Sequence, residues 1–171
     1  NFRSHRSIPG IGGAFTTKSI SGGGVLIDWG VHRLDQVLYC VGDPDPISVT
    51  GAAYSKLGKD IPNYVYRSMW SENTRDVNGT YDVEDSVSAF IRTTGPVITM
   101  EGAWAQNIEE EEQYLDFIGT KAGIRLQYCG NYKVYGTRNG ELFTEDVEIP
   151  EINMYQREVD AFLHCIRTGE K

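Results

Sequence analysis

The chain has 171 residues, 40% of them hydrophobic and 23% charged, with a formal net charge of −8 and an isoelectric point near 4.9. That length holds one domain, or one domain with a short appendage, and enough apolar side chains to build a core without staples. The acidic balance excludes a nucleic-acid-binding surface, which needs excess Lys and Arg to release counterions. An anionic membrane leaflet would also repel such a chain.

Residues 1–24, rich in Gly, Ser and Thr, read as an irregular approach, with turns at Pro9-Gly10 and Gly12-Gly13. Val25–Val41 is predicted to be a helix. Leu26, Ile27, Val31, Leu34, Val37, Leu38 and Val41 fall on one arc, and Gly42, Pro44 and Pro46 end it. The pattern then turns to strands: Ile47–Leu57, Val83–Thr93, Val97–Ala105, Glu111–Gly119, Gly123–Tyr128, Tyr132–Tyr135 and Glu141–Ile149. Residues 58–80 read as a polar excursion with a short helical or irregular piece near Tyr64–Trp70. Thr94-Gly95-Pro96 and Asn139-Gly140 mark hairpin turns. Asn153–Thr168 is predicted to be a helix, with Asn153 as N-cap, Gln156 three residues on as in a capping box, and Gly169 as its stop. Its apolar face comprises Tyr155, Val159, Phe162, Leu163 and Ile166.

A helix, consecutive strands joined by tight turns and a second helix define an α+β fold with a mainly antiparallel sheet. Gly22-Gly23-Gly24 opens a helix, but no apolar strand precedes it, and the Gly-x-Gly-x-x-Gly dinucleotide fingerprint is absent at this point. Glu109–Glu112 reads as a solvated strand start. Cys40, Cys129 and Cys165 are odd in number and lack a Cys-x-x-Cys spacing, so they read as small core hydrophobes. No run approaches the length of a membrane span, and NFRSHRSIPG lacks the apolar stretch of a leader peptide. A cytoplasmic location is therefore expected. A start at Asn1 reads as a piece of a longer protein.

At about 100° per residue, Asp28, His32 and Asp35 fall within a sector of roughly 60°, and Tyr39 continues the stripe. Histidine titrates near neutrality, and a carboxylate one turn away fixes its tautomer and favours the imidazolium. The pattern suits proton transfer. The three glycines would let a substrate approach the backbone closely. Two other readings share this spacing: a solvated Asp–His surface pair, and an Asp, His, Asp metal site.

Gly22–Asp35 (GGGVLIDWGVHRLD) followed by VLYCVGDPDP resembles the C-terminal domain of the Gfo/Idh/MocA family of oxidoreductases, named for glucose–fructose oxidoreductase and inositol dehydrogenase. RSIPGIGGAFTTKSISGGG is similar to the family's lead-in, DVEDSVSAFIRTTGPVITMEGAWA to its central hairpin and DFIGTKAG to its Gly-Thr-Lys-Gly turn. Glu158–Gly169 is similar to its late helix. The resemblance implies an open, mainly antiparallel sheet of about eight strands with helices on one face. It implies that residues 1–171 are the substrate-binding and catalytic domain, following an N-terminal Rossmann domain that holds NAD or NADP. His32 would be the acid/base on a sugar or polyol hydroxyl, Asp28 would bind and orient substrate, and a Glu-Lys-Pro lysine would complete the site.

This chain has no Glu-Lys-Pro and no Rossmann fingerprint, and the family's final helix would lie beyond its end. Alone, it is expected neither to turn over substrate nor to bind the nicotinamide cofactor tightly. Lys18 is a further candidate for substrate hydroxyls or cofactor phosphate, and no metal is expected. Asp35 is expected to support His32 or the fold. Trp29 and Trp104 are expected in the core or at an interface, and Arg3 and Arg6 are read as surface residues in preference to lining a cleft to the Rossmann domain. Asn78-Gly79-Thr80 is read as a chance sequon. The partners implied are a small sugar or polyol, the Rossmann domain, and further copies of the chain through the sheet face. The rival reading is a non-catalytic binding or dimerisation module on the same fold.

Overall fold

In a computed structural model, which describes residues 1–67, 74–128 and 130–170, the chain divides into two compact units, Asn1–Phe117 and Ile118–Lys171. Eight strands and the helices among the described residues realise the α+β class.

The first unit is organised by period-two alternation. Strands β3 (Ser86–Thr93) and β4 (Val97–Ala103) form an antiparallel hairpin. Val87, Ile91, Ile98 and Met100 point to the core. In its turn the Thr93 hydroxyl donates to the Pro96 carbonyl at 2.6 Å and accepts from the Gly95 N–H at 3.0 Å. Strand β2 (Pro46–Tyr54) pairs with β3 at the sheet edge and is exposed along its whole length.

Between β4 and the strand that follows lies β1, only Phe2–Arg3. It runs parallel to β4 and antiparallel to β5 (Glu112–Ile118), giving the order β2-β3-β4-β1-β5. The sheet is therefore mixed. Two residues carry no periodicity, so the sequence reading of residues 1–24 as wholly irregular misses this strand. It also misses the single helical turn α1 (Lys18–Ser21). Phe2 is buried, and its ring occupies the space that a side chain at Gly102 would need, 2.0 Å from the position of a Cβ there.

The predicted helix Val25–Val41 forms in two pieces. Leu26–Gly30 is a π-turn in which the Val31 N–H donates to the Leu26 carbonyl five residues back. The α-helix α2 (Val31–Val41) follows and stops at Gly42 in the left-handed region, φ 81°. Leu34 and Val37 share a crevice with Phe2, Ile98, Met100 and Leu115. This sets α2 against one face of the first unit's sheet, and the buried Arg33 donates from Nη2 to Gln113 Oε1 at 2.6 Å.

The second unit is an antiparallel trio, β6 (Ala122–Gln127), β7 (Tyr132–Arg138) and β8 (Glu141–Val147), followed by α3 (Met154–Thr168). Asn139 and Gly140 take positive φ, 54° and 83°, as the Asn-Gly turn requires. Asn153 Oδ1 accepts from the Gln156 N–H at 3.0 Å. The capping box is only half formed, because the Gln156 side chain donates forward to Asp160 Oδ1. The apolar face expected on α3 exists, but none of its residues is buried.

The cysteine expectation is corrected. Cys40 lies on the outer side of α2 and is exposed, and Cys165 is half-buried on α3. Cys129 and the Ser68–Trp70 end of the predicted short piece lie outside the described residues.

Candidate active-site cleft

Helix N-termini leave backbone N–H groups without intrahelical partners. Here a distant segment satisfies them. Glu84 Oε1 accepts from the Gly24 N–H at 2.9 Å and the Leu26 N–H at 3.1 Å, and the Glu84 carbonyl accepts from the Val25 N–H at 3.1 Å. The two backbones touch. A Cβ on Gly24 would lie 1.9 Å from the Glu84 carbonyl oxygen. Gly24 is therefore needed for chain-to-chain packing, whereas Gly23 borders the open cleft.

The clamp fixes the π-turn that carries Asp28. Its backbone N–H donates to the Gly24 carbonyl at 3.0 Å. Its Oδ2 accepts from the indole Nε1–H of Trp104 at 2.9 Å, and the buried Trp104 supplies that donor from within the core. Burial raises the Asp28 carboxyl above the ordinary carboxylate range, partly offset by the Trp104 hydrogen bond and the nearby His32. His32, in the first turn of α2, is exposed. Asp28, His32 and Trp104 line a cleft of about 270 Å³ with Phe15, Ser21, Gly23 and Ile27.

The cleft joins a water-accessible imidazole, a half-buried carboxylate with one oxygen tied down, and an apolar wall from Phe15 and Ile27. This combination suits proton transfer at a hydroxyl of a ligand with both polar and apolar faces. A π-turn in place of regular α-helix at a ligand site is a recurring arrangement.

Two of the three residues expected at the site, Asp28 and His32, line the cleft together. Lys18 does not line it. It begins α1, its backbone N–H donates to Asp82 Oδ1 at 2.6 Å, and its side chain is exposed. Asp35 is exposed and makes no hydrogen bond to His32, and Tyr39 is 81% exposed farther along α2. No group of three His, Cys, Asp or Glu residues able to hold a metal occurs among the described residues. Trp29 packs against the core, Arg3 pairs with Glu112, and Arg6 donates to Asn107. Sequence reasoning missed Glu84 and the hydrogen-bonding role of Trp104. No local pattern ties either to a helix more than fifty residues away.

The sequence profile of the GFO/IDH/MocA C-terminal domain matches residues 1–125. The chain belongs to this family. It is 34% identical to D-glucoside 3-dehydrogenase of Escherichia coli K12 over 163 residues, 94% of this chain and 43% of that enzyme. Among solved structures it matches levoglucosan dehydrogenase in complex with NADH and levoglucosan, with a TM-score of 0.58 and 23% identity, over 80% of this chain and 34% of that one. A second levoglucosan dehydrogenase structure, in complex with NADH, gives a TM-score of 0.66 at 19% identity, over 90% and 44%. At these identities the structures show a shared fold. The chain spans less than half the length of these relatives.

Proposed function

We propose that residues 1–171 are the substrate domain of a nicotinamide-dependent oxidoreductase acting on a sugar, with D-glucosides and levoglucosan the first compounds to test. The observation that carries this reading is the cleft in which Asp28 and His32 meet beside Phe15 and Ile27. His32 takes the proton of the reacting hydroxyl and returns it in the reverse reaction. Asp28 accepts a hydrogen bond from a sugar hydroxyl and orients the ring. Phe15 offers an aromatic wall to the ring's C–H face.

These walls suit a polyhydroxylated ring set against a flat nicotinamide. Bound NAD or NADP supplies the hydride acceptor, and an N-terminal Rossmann domain of the longer protein holds it. In support, the curated relative is more than twice as long as the stretch it shares with this chain. On this reading the domain alone neither turns over substrate nor holds the cofactor tightly, and dehydrogenase activity from residues 1–171 by themselves would contradict it. Self-association is assigned to the outer face of β3 and β4, where Phe90 and Val97 stand exposed, and sedimentation of the full-length protein tests it.

The decisive experiment is His32→Ala in the full-length protein, assayed for nicotinamide reduction with methyl β-D-glucopyranoside and levoglucosan. Loss of general acid–base catalysis lowers kcat by about 100-fold or more with folding unchanged. Undiminished turnover overturns the role given to His32.

A further inference from the structure

A carboxylate that orients a substrate must itself be oriented. Asp28 sits in a π-turn that Glu84 fixes only through the main chain. Nothing in that clamp restrains the side chain. The restraint comes from Trp104, whose indole Nε1–H donates to Asp28 Oδ2 at 2.9 Å across 76 residues of sequence.

Trp104 is a rigid donor. It is 0% exposed. Its backbone N–H donates to the Asp85 carbonyl at 2.9 Å, and its carbonyl accepts from the Ser7 N–H at 2.8 Å. The indole has one N–H, fixed in the ring plane, and no acceptor role. Among the described residues no hydrogen bond reaches the other carboxylate oxygen, Oδ1, and the half-buried Asp28 borders the cleft.

We propose that Trp104 is the positioning residue of this site, pinning Oδ2 of Asp28 from the core so that Oδ1 is presented to a substrate hydroxyl. The division of labour follows from the chemistry. A carboxylate free to rotate would offer either oxygen in many directions, and freezing it would be a cost of substrate binding. Here the fold has already fixed it. The bond also offsets part of the desolvation of a half-buried carboxylate, which makes the ionised, accepting form easier to maintain. This inference rests on the orienting role given to Asp28 above.

The test uses the full-length protein with Trp104→Phe, which keeps an aromatic ring and deletes the donor. Three readouts apply. In the unaltered protein the Trp104 indole ¹⁵N–¹H resonance follows the titration of Asp28, and Asp28→Asn abolishes that titration. In Trp104→Phe the ¹³C resonance of the Asp28 carboxyl titrates at higher pH, because a donor that stabilised the charged form is gone. With methyl β-D-glucopyranoside, kcat/KM falls roughly 10- to 100-fold, the loss of a hydrogen bond to a charged group. It falls no further in the double variant than in Asp28→Asn alone.

A Trp104 resonance indifferent to Asp28, an unmoved Asp28 titration, or losses that simply multiply in the double variant each overturn the proposal. The first readout needs no Trp104 substitution, so it stands even if Trp104→Phe fails to fold. Undiminished turnover in Asp28→Asn instead counts against the orienting role of Asp28 itself.

Discussion

The three consecutive glycines before the π-turn that carries Asp28 have three different surroundings, and substituting each with alanine separates them. Gly22 has φ 82° and nothing within 4 Å of an added Cβ. Gly22→Ala meets only the left-handed backbone penalty, roughly 1–2 kcal/mol. Gly23→Ala places its Cβ 2.7 Å from Ile27 Cγ1, on an exposed side chain that can turn away. Gly24→Ala has no such escape. Its Cβ would lie 1.9 Å from the Glu84 carbonyl oxygen, 2.9 Å from the carbonyl carbon and 3.0 Å from the backbone nitrogen, where ordinary contact begins at 3.4 Å.

Relief of that overlap requires the two segments to part. Overpacking costs about 1–3 kcal/mol. Separation also breaks the Val25 N–H to Glu84 carbonyl bond and the two N–H bonds to Glu84 Oε1, each worth about 1 kcal/mol. The expected total for Gly24→Ala is roughly 4–6 kcal/mol, well above either neighbour. Urea titration of the full-length protein, followed by tryptophan fluorescence, gives the order of midpoints. If Gly24→Ala unfolds no earlier than Gly22→Ala, the packing account of this glycine is wrong.

Glu84→Ala removes the cap on the same turn and is expected to cost about 1–2 kcal/mol, seen as a lower urea midpoint together with reduced turnover. Asp85 is buried and its Oδ2 accepts from the Lys56 and Gly58 N–H groups at 2.8 and 3.2 Å. Asp85→Ala strands two donors and lowers stability by roughly 2–4 kcal/mol, measurable as a thermal shift. Asp28 titrates above its ordinary 3.8 in the folded chain. Its contribution to stability is therefore complete below that value and is lost as pH rises through the folded pKa. Asp28→Asn should raise the urea midpoint at neutral pH and lose that advantage on acidification to about pH 3. A gain that is constant with pH contradicts the desolvation argument. On the orienting role proposed for Asp28, the same variant is expected to lose activity.

What the sequence made legible is local. The Asn139-Gly140 turn, the Asn153 cap and the glycine stops at Gly42 and Gly169 appear where their chemistry demands. The β3–β4 hairpin follows its alternation. Asp28 and His32 share the cleft because both belong to one short helical stretch. The π-turn is hidden in the sequence, since one widened turn leaves the apolar spacing nearly intact, and the cap on its start is Glu84, sixty residues away. The sequence reads Trp104 as a core or interface residue, and its ring is buried in the core. Its second function needs knowledge of what lies beside its one N–H. Cys40 shows the converse: the residue type is often buried, yet here it is exposed on α2.

Strand β1 has a consequence for synthesis. Phe2 and Arg3 lie between two strands that leave the ribosome about a hundred residues later, β4 near Gly102 and β5 near Gln113. At about 5–20 residues per second, Phe2 waits on the order of 5–20 seconds for either neighbour. During that interval Phe2 is exposed to whatever chaperone or stray hydrophobic surface is near. The β3–β4 hairpin can form as soon as it emerges, but the pairing around β1 closes only when Phe2 and Arg3 meet strands made about a hundred residues later. Mutations that slow translation between Val83 and Leu115 would therefore prolong the vulnerable state without altering any native contact.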